Sequence, residues 1–270
     1  ATWSGHVKKR ERPTARATTA DPPAITPTEW FFSRLHREAG GLASQSAVLG
    51  DQAVAIRTTR HGSGGLTFVH LHENEQTSVQ AARDVLAGRR GRLIELRSRG
   101  QRLVPFRIGQ VAYQFDPNRI FTDSGLEATL RRYGPYSAEA HDAVRELRNA
   151  LLEAWVGAEG PLVALHNNAG RDYTLRAYEA GAPLAREAER IARVQRDADE
   201  DFFVVTRPEL IEPLVREGFN VVLQSGDARD DGSLSVWAQR RGLPYINVEA
   251  RHGRLAKQRL MLQAVLRLFD

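Results

Sequence analysis

Short apolar runs with strand character alternate with helical patterns along most of this chain, and that alternation constrains its fold most. The predicted strands lie at 46–49, 53–56, 66–71, 93–96, 103–106, 111–113, 161–165, 202–205, 221–223 and 245–248. The predicted helices lie at 77–86, 137–155, 208–216, 233–240 and 255–269. Strands that alternate with helices favour an α/β domain: a mixed, largely parallel central sheet with helices on both faces.

Composition limits the chemistry that the chain can perform. Its 270 residues include no cysteine, which excludes disulfides, iron–sulfur clusters, thiolate zinc sites and cysteine nucleophiles. Any metal must therefore be held by histidine and carboxylate. No apolar run approaches the ~20 residues of a transmembrane helix. The net charge is +5, but the basic residues are scattered and no nucleic-acid-binding motif occurs, so we expect no nucleic-acid partner.

The first 28 residues differ in composition from the rest. They are poor in apolar residues, contain several prolines and carry the basic stretch 8–12, so they predict a flexible basic tail or linker. A basic, proline-containing stretch of this kind is typical of a chain leaving a signal or membrane sequence. We therefore predict a periplasmic or secreted protein, with one catalytic domain over 29–270.

Histidine and glutamate residues follow the predicted strand at 66–71. Open α/β sheets place their functional sites at such strand ends. His72 and Glu75 are three residues apart, which can bring an imidazole nitrogen and a carboxylate to one cation. His70 and Glu73 have the same spacing, so the spacing alone does not choose between the two pairs.

Three further polar groups also follow apolar runs. Asp116, Asn118 and Arg119 lie between aromatic and aliphatic residues, and a guanidinium beside an amide suits a substrate carboxylate. His166 follows the strand at 161–165, and Glu249 follows the strand at 245–248. Each of these has an ordinary structural explanation when taken singly, such as a turn or an exposed strand end.

Taken together, these groups stand in the order His-x-x-Glu, Asp-x-Asn-Arg, His, Glu. This order resembles the zinc carboxypeptidase superfamily, which includes carboxypeptidase A-like peptidases and the aspartoacylase/succinylglutamate desuccinylase group. The string His72-Glu73-Asn74-Glu75 is similar to the His-x-Asn-Glu of the latter group, and residues 116–119 are similar to its Asp-Leu-Asn-Arg. The resemblance covers about residues 66–249, and its motif favours His72 and Glu75 over the other pair.

The resemblance implies a zinc ion (Zn²⁺) bound by His72, Glu75 and His166. It also implies that Asp116 orients the first of these histidines. Two histidines and one glutamate leave a position open for water, as catalytic zinc requires.

The resemblance also implies roles for groups around the metal. Glu249 corresponds to the general base, and Arg119 with Asn118 corresponds to the pair that holds a substrate carboxylate. An arginine that polarises the scissile carbonyl is expected shortly before Arg119. Arg102 and Arg107 are the nearest, and Arg107 is favoured.

We therefore predict a zinc-dependent, carboxypeptidase-like hydrolase of a peptide or amide bond near a free carboxylate. Bacterial peptidoglycan peptides are a natural substrate for such an enzyme if it is secreted. One alternative is an aspartoacylase-like deacylase of N-acyl amino acids. Another is a peptide- or cell-wall-binding module with a degenerate site, although the intact set of histidines and glutamates argues against it.

Overall fold

The computed structural model describes residues 41–155, 160–169 and 173–269. The predicted tail lies outside these ranges. The strands are β1 (Leu42–Leu49), β2 (Gln52–His61), β3 (Leu66–His70), β4 (Gly91–Arg97), β5 (Val104–Ile108), β6 (Val111–Phe115), β7 (Leu162–Asn168), β8 (Ala188–Ala192), β9 (Phe202–Val205), β10 (Asn220–Gln224) and β11 (Tyr245–Arg251). The helices are α1 (Gln76–Leu86), α2 (Asp123–Tyr133), α3 (Ala138–Ala154), α4 (Ile211–Arg216), α5 (Leu234–Arg240) and α6 (Leu255–Phe269).

Nine of these strands form one mixed sheet in the order β1-β2-β4-β3-β7-β11-β9-β10-β8. The four strands β4, β3, β7 and β11 are parallel and lie next to one another at its centre. Antiparallel pairs form both edges, while β5 and β6 make a separate hairpin. The predicted mixed sheet with a parallel centre is confirmed.

Helices cover both faces of this sheet, as predicted. One core contains the buried side of α1, α4 and α6, and a second contains that of α2, α3 and α5. Because strand side chains alternate between faces, neighbouring residues of a central strand enter different cores. On β7, for example, Leu165 packs in the first core and Ala164 in the second. None of the helices in the described ranges is both long and apolar enough to span a bilayer.

The pattern of apolar residues predicted neither α2 nor β8. Thr122 caps the N-terminus of α2, and its hydroxyl accepts a hydrogen bond from the amide of Gly125 (3.1 Å). Gly125 packs directly on Gly232, since a Cβ on Gly125 would lie 2.1 Å from the Cα of Gly232. This backbone-to-backbone approach fixes the segment just after Arg119, because Phe121 donates to the carbonyl of Gly232 (3.0 Å).

Candidate metal centre

The turn between β3 and α1 brings His72 and Glu75 together. The amide of Glu75 donates to the carbonyl of His72 (2.9 Å), and α1 begins at the next residue. The carboxylate of Glu75 makes no capping bond to this helix. Instead, its Oε1 lies 2.9 Å from Nδ1 of His72. Both side chains are buried.

The strand β7 supplies His166 to the same place. It runs parallel to β3, so the carboxyl ends of both strands lie at one edge of the sheet. Nδ1 of His166 lies 3.1 Å from Oε2 of Glu75 and 3.2 Å from Nδ1 of His72. The ligand atoms of the three residues all lie within 4.8 Å of one another. The structure thus brings the three predicted ligands together in a group that can hold a metal ion.

Asp116 holds His72 from the other side of its ring. It follows β6, and its Oδ1 lies 2.7 Å from Nε2 of His72. Burial opposes ionisation of Asp116, but His72 and Arg102 hold its pKa below the usual range. An ionised carboxylate only accepts hydrogen bonds, so Nε2 of His72 carries the proton. Nδ1 then faces Glu75 and His166 and is the nitrogen that a metal ion would bind in place of a proton.

The donor set itself fits a divalent cation. Two imidazole nitrogens and a carboxylate converge, and two nitrogens 3.2 Å apart need a proton or a cation between them. Burial opposes the charged form of His72, yet the charge of Glu75 and the bond to Asp116 raise its pKa to about 9. Burial likewise opposes ionisation of Glu75, yet the two imidazoles hold its pKa well below the usual range. The centre therefore stabilises positive charge.

The structure gives the competing pair, His70 and Glu73, other contacts. Oε2 of Glu73 accepts the amides of Ser98 and Gly100 (both 2.7 Å) and so fixes the loop after β4. Nε2 of His70 lies 3.0 Å from the carbonyl of Glu75. Burial lowers the pKa of His70 to about 4, so this imidazole is neutral. Neither residue belongs to the group of possible ligands.

Arg102, and not the favoured Arg107, lies at this centre. Arg102 donates to Oε1 of Glu75 (2.7 Å) and approaches Oδ2 of Asp116 (3.3 Å). On β5 the side chain of Phe106 enters the core, so Arg107 faces solvent, where its guanidinium donates to the carbonyl of Gln110 (2.7 Å). The structure therefore does not bring the predicted Arg107 to this centre, since alternation along β5 turns its side chain outward.

Glu249 lies beside the group on the neighbouring strand. It is paired in register with His166 across β7 and β11. Its Oε1 accepts from Nδ2 of Asn247 (3.2 Å) and its Oε2 from Nδ2 of Asn168 (3.4 Å). Burial, the largest influence, and the charge of Glu75 raise its pKa to about 7, although His166 and the two amides oppose them. A carboxyl with a pKa near neutrality suits proton transfer.

The predicted carboxylate-binding pair lies in the turn after Asp116. Nη1 of Arg119 donates to the carbonyl of Asn118 (2.7 Å), and Nε lies 3.5 Å from Oδ2 of Asp231. The side chain of Arg119 is 38% exposed, so it is accessible from solvent. The side-chain oxygen of Asn118 accepts the amide of Leu234 (3.0 Å), which ties this turn to α5. Among the described residues no partner contacts the side-chain nitrogen of Asn118, so Nδ2 is available to a ligand.

Two tyrosines near this region were missed by the sequence analysis. The hydroxyls of Tyr173 and Tyr178 are 2.6 Å apart. Burial, together with the charge of Glu249, raises the pKa of both phenols, so they are neutral. The charges of Arg119 and Asp231 also act on Tyr178. No spacing or motif marks these tyrosines in the sequence; only the fold brings them near Glu249.

No family model and no curated protein matches this chain. Solved structures that are similar include a "putative metallopeptidase" from Shewanella denitrificans, with 14% identity over 83% of this chain and 82% of that one and a TM-score of 0.44. An aspartoacylase family protein from Mesorhizobium loti has 15% identity over 86% and 69%, with a TM-score of 0.41. A succinylglutamate desuccinylase from a Silicibacter species has 13% identity over 91% and 69%, with a TM-score of 0.42.

The last two names are those of the group that the motifs at residues 72–75 and 116–119 resemble. Likeness at this level identifies neither a substrate nor a site. The geometry of the side chains is therefore the basis for assigning a function.

Proposed function

We propose that this protein is a metal-dependent hydrolase that cleaves an amide or peptide bond near a free carboxylate, as a carboxypeptidase does. One observation carries the proposal: His72, Glu75 and His166 converge beside a second buried carboxyl, that of Glu249, whose pKa is raised to about 7. Three ligands alone would also suit a structural ion. Hydrolysis also requires a proton-transfer group beside the metal, and the carboxyl of Glu249 lies at the same sheet edge.

We assign His72, Glu75 and His166 as the ligands of a zinc ion. Two nitrogens and one carboxylate are a donor set of catalytic zinc. When bound there, zinc would supply Lewis acidity, which makes water more acidic and a carbonyl more electrophilic. Asp116 supports this assignment because it accepts the Nε2 proton of His72 and leaves Nδ1 free to bind.

We assign Glu249 as the general base. Its carboxylate oxygens would take a proton from the attacking water and later give that proton to the leaving amine. The amides of Asn247 and Asn168 each donate to one of these oxygens and so fix the orientation of the carboxylate. A pKa near neutrality allows the group both to accept and to release the proton at physiological pH.

We assign Arg119 to the substrate carboxylate. Within the described ranges, the guanidinium bonds or pairs with Asn118 and Asp231 through Nη1 and Nε, so Nη2 is the nitrogen that would meet a substrate. Arg102 takes the role that sequence analysis gave to Arg107, since it is the arginine beside Glu75 and Asp116. Its positive charge would favour negative charge that develops on the scissile carbonyl oxygen.

The substrate we propose first is a peptidoglycan peptide, which carries free carboxylates and amide bonds. The net charge of +5 favours contact with an anionic polymer. Such a substrate requires a periplasmic or secreted enzyme, which is also what the basic N-terminal stretch predicts. Deacylation of N-acyl amino acids would use the same groups and is the alternative within this proposal.

A substrate panel on the zinc-loaded protein tests the proposal. We expect hydrolysis of peptides with a free terminal carboxylate, no hydrolysis of the same peptides after C-terminal amidation, and reversible loss of activity with a chelator. Turnover of N-acyl amino acids alone would favour the deacylase. Zinc binding without turnover of any amide would contradict the hydrolase and favour a binding module.

A further inference from the structure

A buried hydrogen-bonded network lies on the face of β7 opposite to His166. It consists of Ser78 on α1, Asn167 on β7 and Gln258 on α6, and we call it the Asn167 network. All three side chains are buried, and that of Gln258 is fully inaccessible to solvent. They lie among the apolar residues that α1 and α6 contribute to the first core, where polar groups are rare unless they are paired.

Asn167 connects the network to Glu75. Its main-chain amide donates to Oε2 of Glu75 (3.1 Å), just beyond the point where β3 stops pairing with β7. Its side-chain oxygen accepts the amide of Ser78 (2.8 Å), in the first turn of α1. Ser78 in turn donates through Oγ to the carbonyl of Glu75 (2.8 Å). Glu75 is therefore held at its carboxylate and at its backbone.

Gln258 connects the network to His166. Its Oε1 accepts from Nδ2 of Asn167 (2.7 Å), and its Nε2 donates to the carbonyl of His166 (3.3 Å). Nδ2 of Asn167 also donates to the carbonyl of Ala250 on β11 (3.2 Å). One side chain from α6 thus fixes the backbone of one proposed ligand and, through Asn167, the carboxylate of another.

We infer that Ser78, Asn167 and Gln258 are positioning residues that set the distance between Glu75 and His166 and thereby the affinity of the centre for its metal. This inference rests on the proposed metal site. Packing of α6 alone would be served by apolar residues, as it is by Met261 and Leu262 of the same helix. The network instead directs its hydrogen bonds to the two segments that carry the ligands, and partners of this kind commonly change metal affinity about 10- to 100-fold.

The test is the zinc dissociation constant of the full chain, measured by competition with a chromophoric chelator, for wild type, Gln258→Met and Leu262→Ala. Gln258→Met keeps the length of the side chain and removes both hydrogen bonds. Leu262→Ala disturbs the same helix and core and removes none of the hydrogen bonds of the network. The absorption spectrum of the cobalt-substituted protein and the unfolding temperature of the metal-free protein are recorded for each variant.

We expect Gln258→Met to weaken zinc binding about tenfold or more and to change the cobalt spectrum. Leu262→Ala should lower the unfolding temperature and leave zinc affinity within about twofold of wild type, because no hydrogen bond to the ligand segments is lost. Wild-type affinity in Gln258→Met, or losses in both variants that follow only the unfolding temperature, would overturn the inference.

A milder variant keeps the test decisive if Gln258→Met does not fold. Ser78→Ala removes only the Oγ bond to the carbonyl of Glu75 and fits within α1. It should weaken zinc binding severalfold, and unchanged affinity would contradict the inference. If wild type itself binds no zinc, the proposed function fails, which is a different outcome from zinc binding that Gln258 and Ser78 do not influence.

Discussion

His166 and Asn167 are neighbours on β7, and their side chains lie on opposite faces of the sheet. The buried polar atoms on these two faces differ in how completely they are hydrogen-bonded. On the Asn167 face, the side-chain oxygen and nitrogen of Asn167 are both hydrogen-bonded within the Asn167 network. On the His166 face, buried polar atoms lack partners among the described residues: Nε2 of His166 and the side-chain oxygens of Asn168 and Asn247.

This difference indicates that the two faces at the end of β7 have different roles. Buried polar atoms that are already hydrogen-bonded are not available to a ligand. They instead hold the groups around them at fixed distances. Buried polar atoms without a partner need an explanation. These atoms lie on the side of the sheet that carries Glu249 and the proposed ligands, where a substrate would contact them. We interpret the Asn167 face as support and the His166 face as the reacting side.

The largest expected effect is a loss of activity, without a loss of stability, when Glu249 on the His166 face is substituted. Glu249→Gln should lower kcat/KM about 10²- to 10⁴-fold through loss of the general base, with zinc content unchanged. Burial raises the pKa of Glu249 from 4.5 to about 7, so this group lowers stability as pH rises between those values, and the full loss is present above pH 7. At pH 8, therefore, Glu249→Gln should not lower the free energy of unfolding, as measured by urea denaturation.

The matched change on the other face is Asn167→Ala. It leaves several buried partners unpaired and should lower the free energy of unfolding by about 1–3 kcal/mol. Equal destabilisation by the two variants would remove the distinction between the faces.

A smaller effect is expected from the arginine beside the centre. Arg102→Ala removes charge-assisted hydrogen bonds to Glu75 and Asp116 and should lower kcat/KM roughly 10- to 100-fold. Arg107→Ala is the control, because this exposed side chain donates only to the carbonyl of Gln110 within the described ranges. Steady-state kinetics should place the control within about twofold of wild type. A larger effect from the control would restore the sequence-based preference for Arg107.

The smallest effect is a shift in pH dependence. A base acts only when ionised, so kcat/KM should rise with pH through the pKa of Glu249, and the positive charge of a bound metal places that rise below pH 7. Asn247 donates to the ionised carboxylate and lowers this pKa. Asn247→Leu should therefore move the acid limb of the pH–rate profile to higher pH by some tenths of a unit. A shift to lower pH would contradict the role of Glu249.

Much of the fold could be predicted because its central strands are strongly apolar and its main helices have regular apolar repeats. Each predicted strand overlaps a strand of the structure, and their ends differ by a few residues. The edge strand β8 was missed because it pairs with β10 alone and none of its five residues is buried, so it has no apolar alternation. α2 was missed because it buries just two large apolar residues, Leu126 and Leu130, and packs otherwise through smaller residues such as Gly125.

The site was predictable to the extent that its residues follow strands. His72, Glu75, His166, Asp116 and Glu249 could be found from the order of their motifs, and the structure brings them together. Spacing alone did not distinguish Arg102 from Arg107, because the directions of these side chains depend on the loop before β5 and on the β5–β6 hairpin. Asn167 and Gln258 lie 91 positions apart in the sequence, so only the packing of α6 on β7 joins them.

Elemental analysis of bound zinc in wild type, Glu75→Gln and Glu73→Gln tests the central claim most directly. The two glutamates are two positions apart and both buried, but only Glu75 faces the two histidines. We expect about one zinc per chain in wild type and in Glu73→Gln, and loss of zinc in Glu75→Gln. Wild type that binds no zinc when it is supplied, or zinc lost from Glu73→Gln and kept by Glu75→Gln, would contradict this claim.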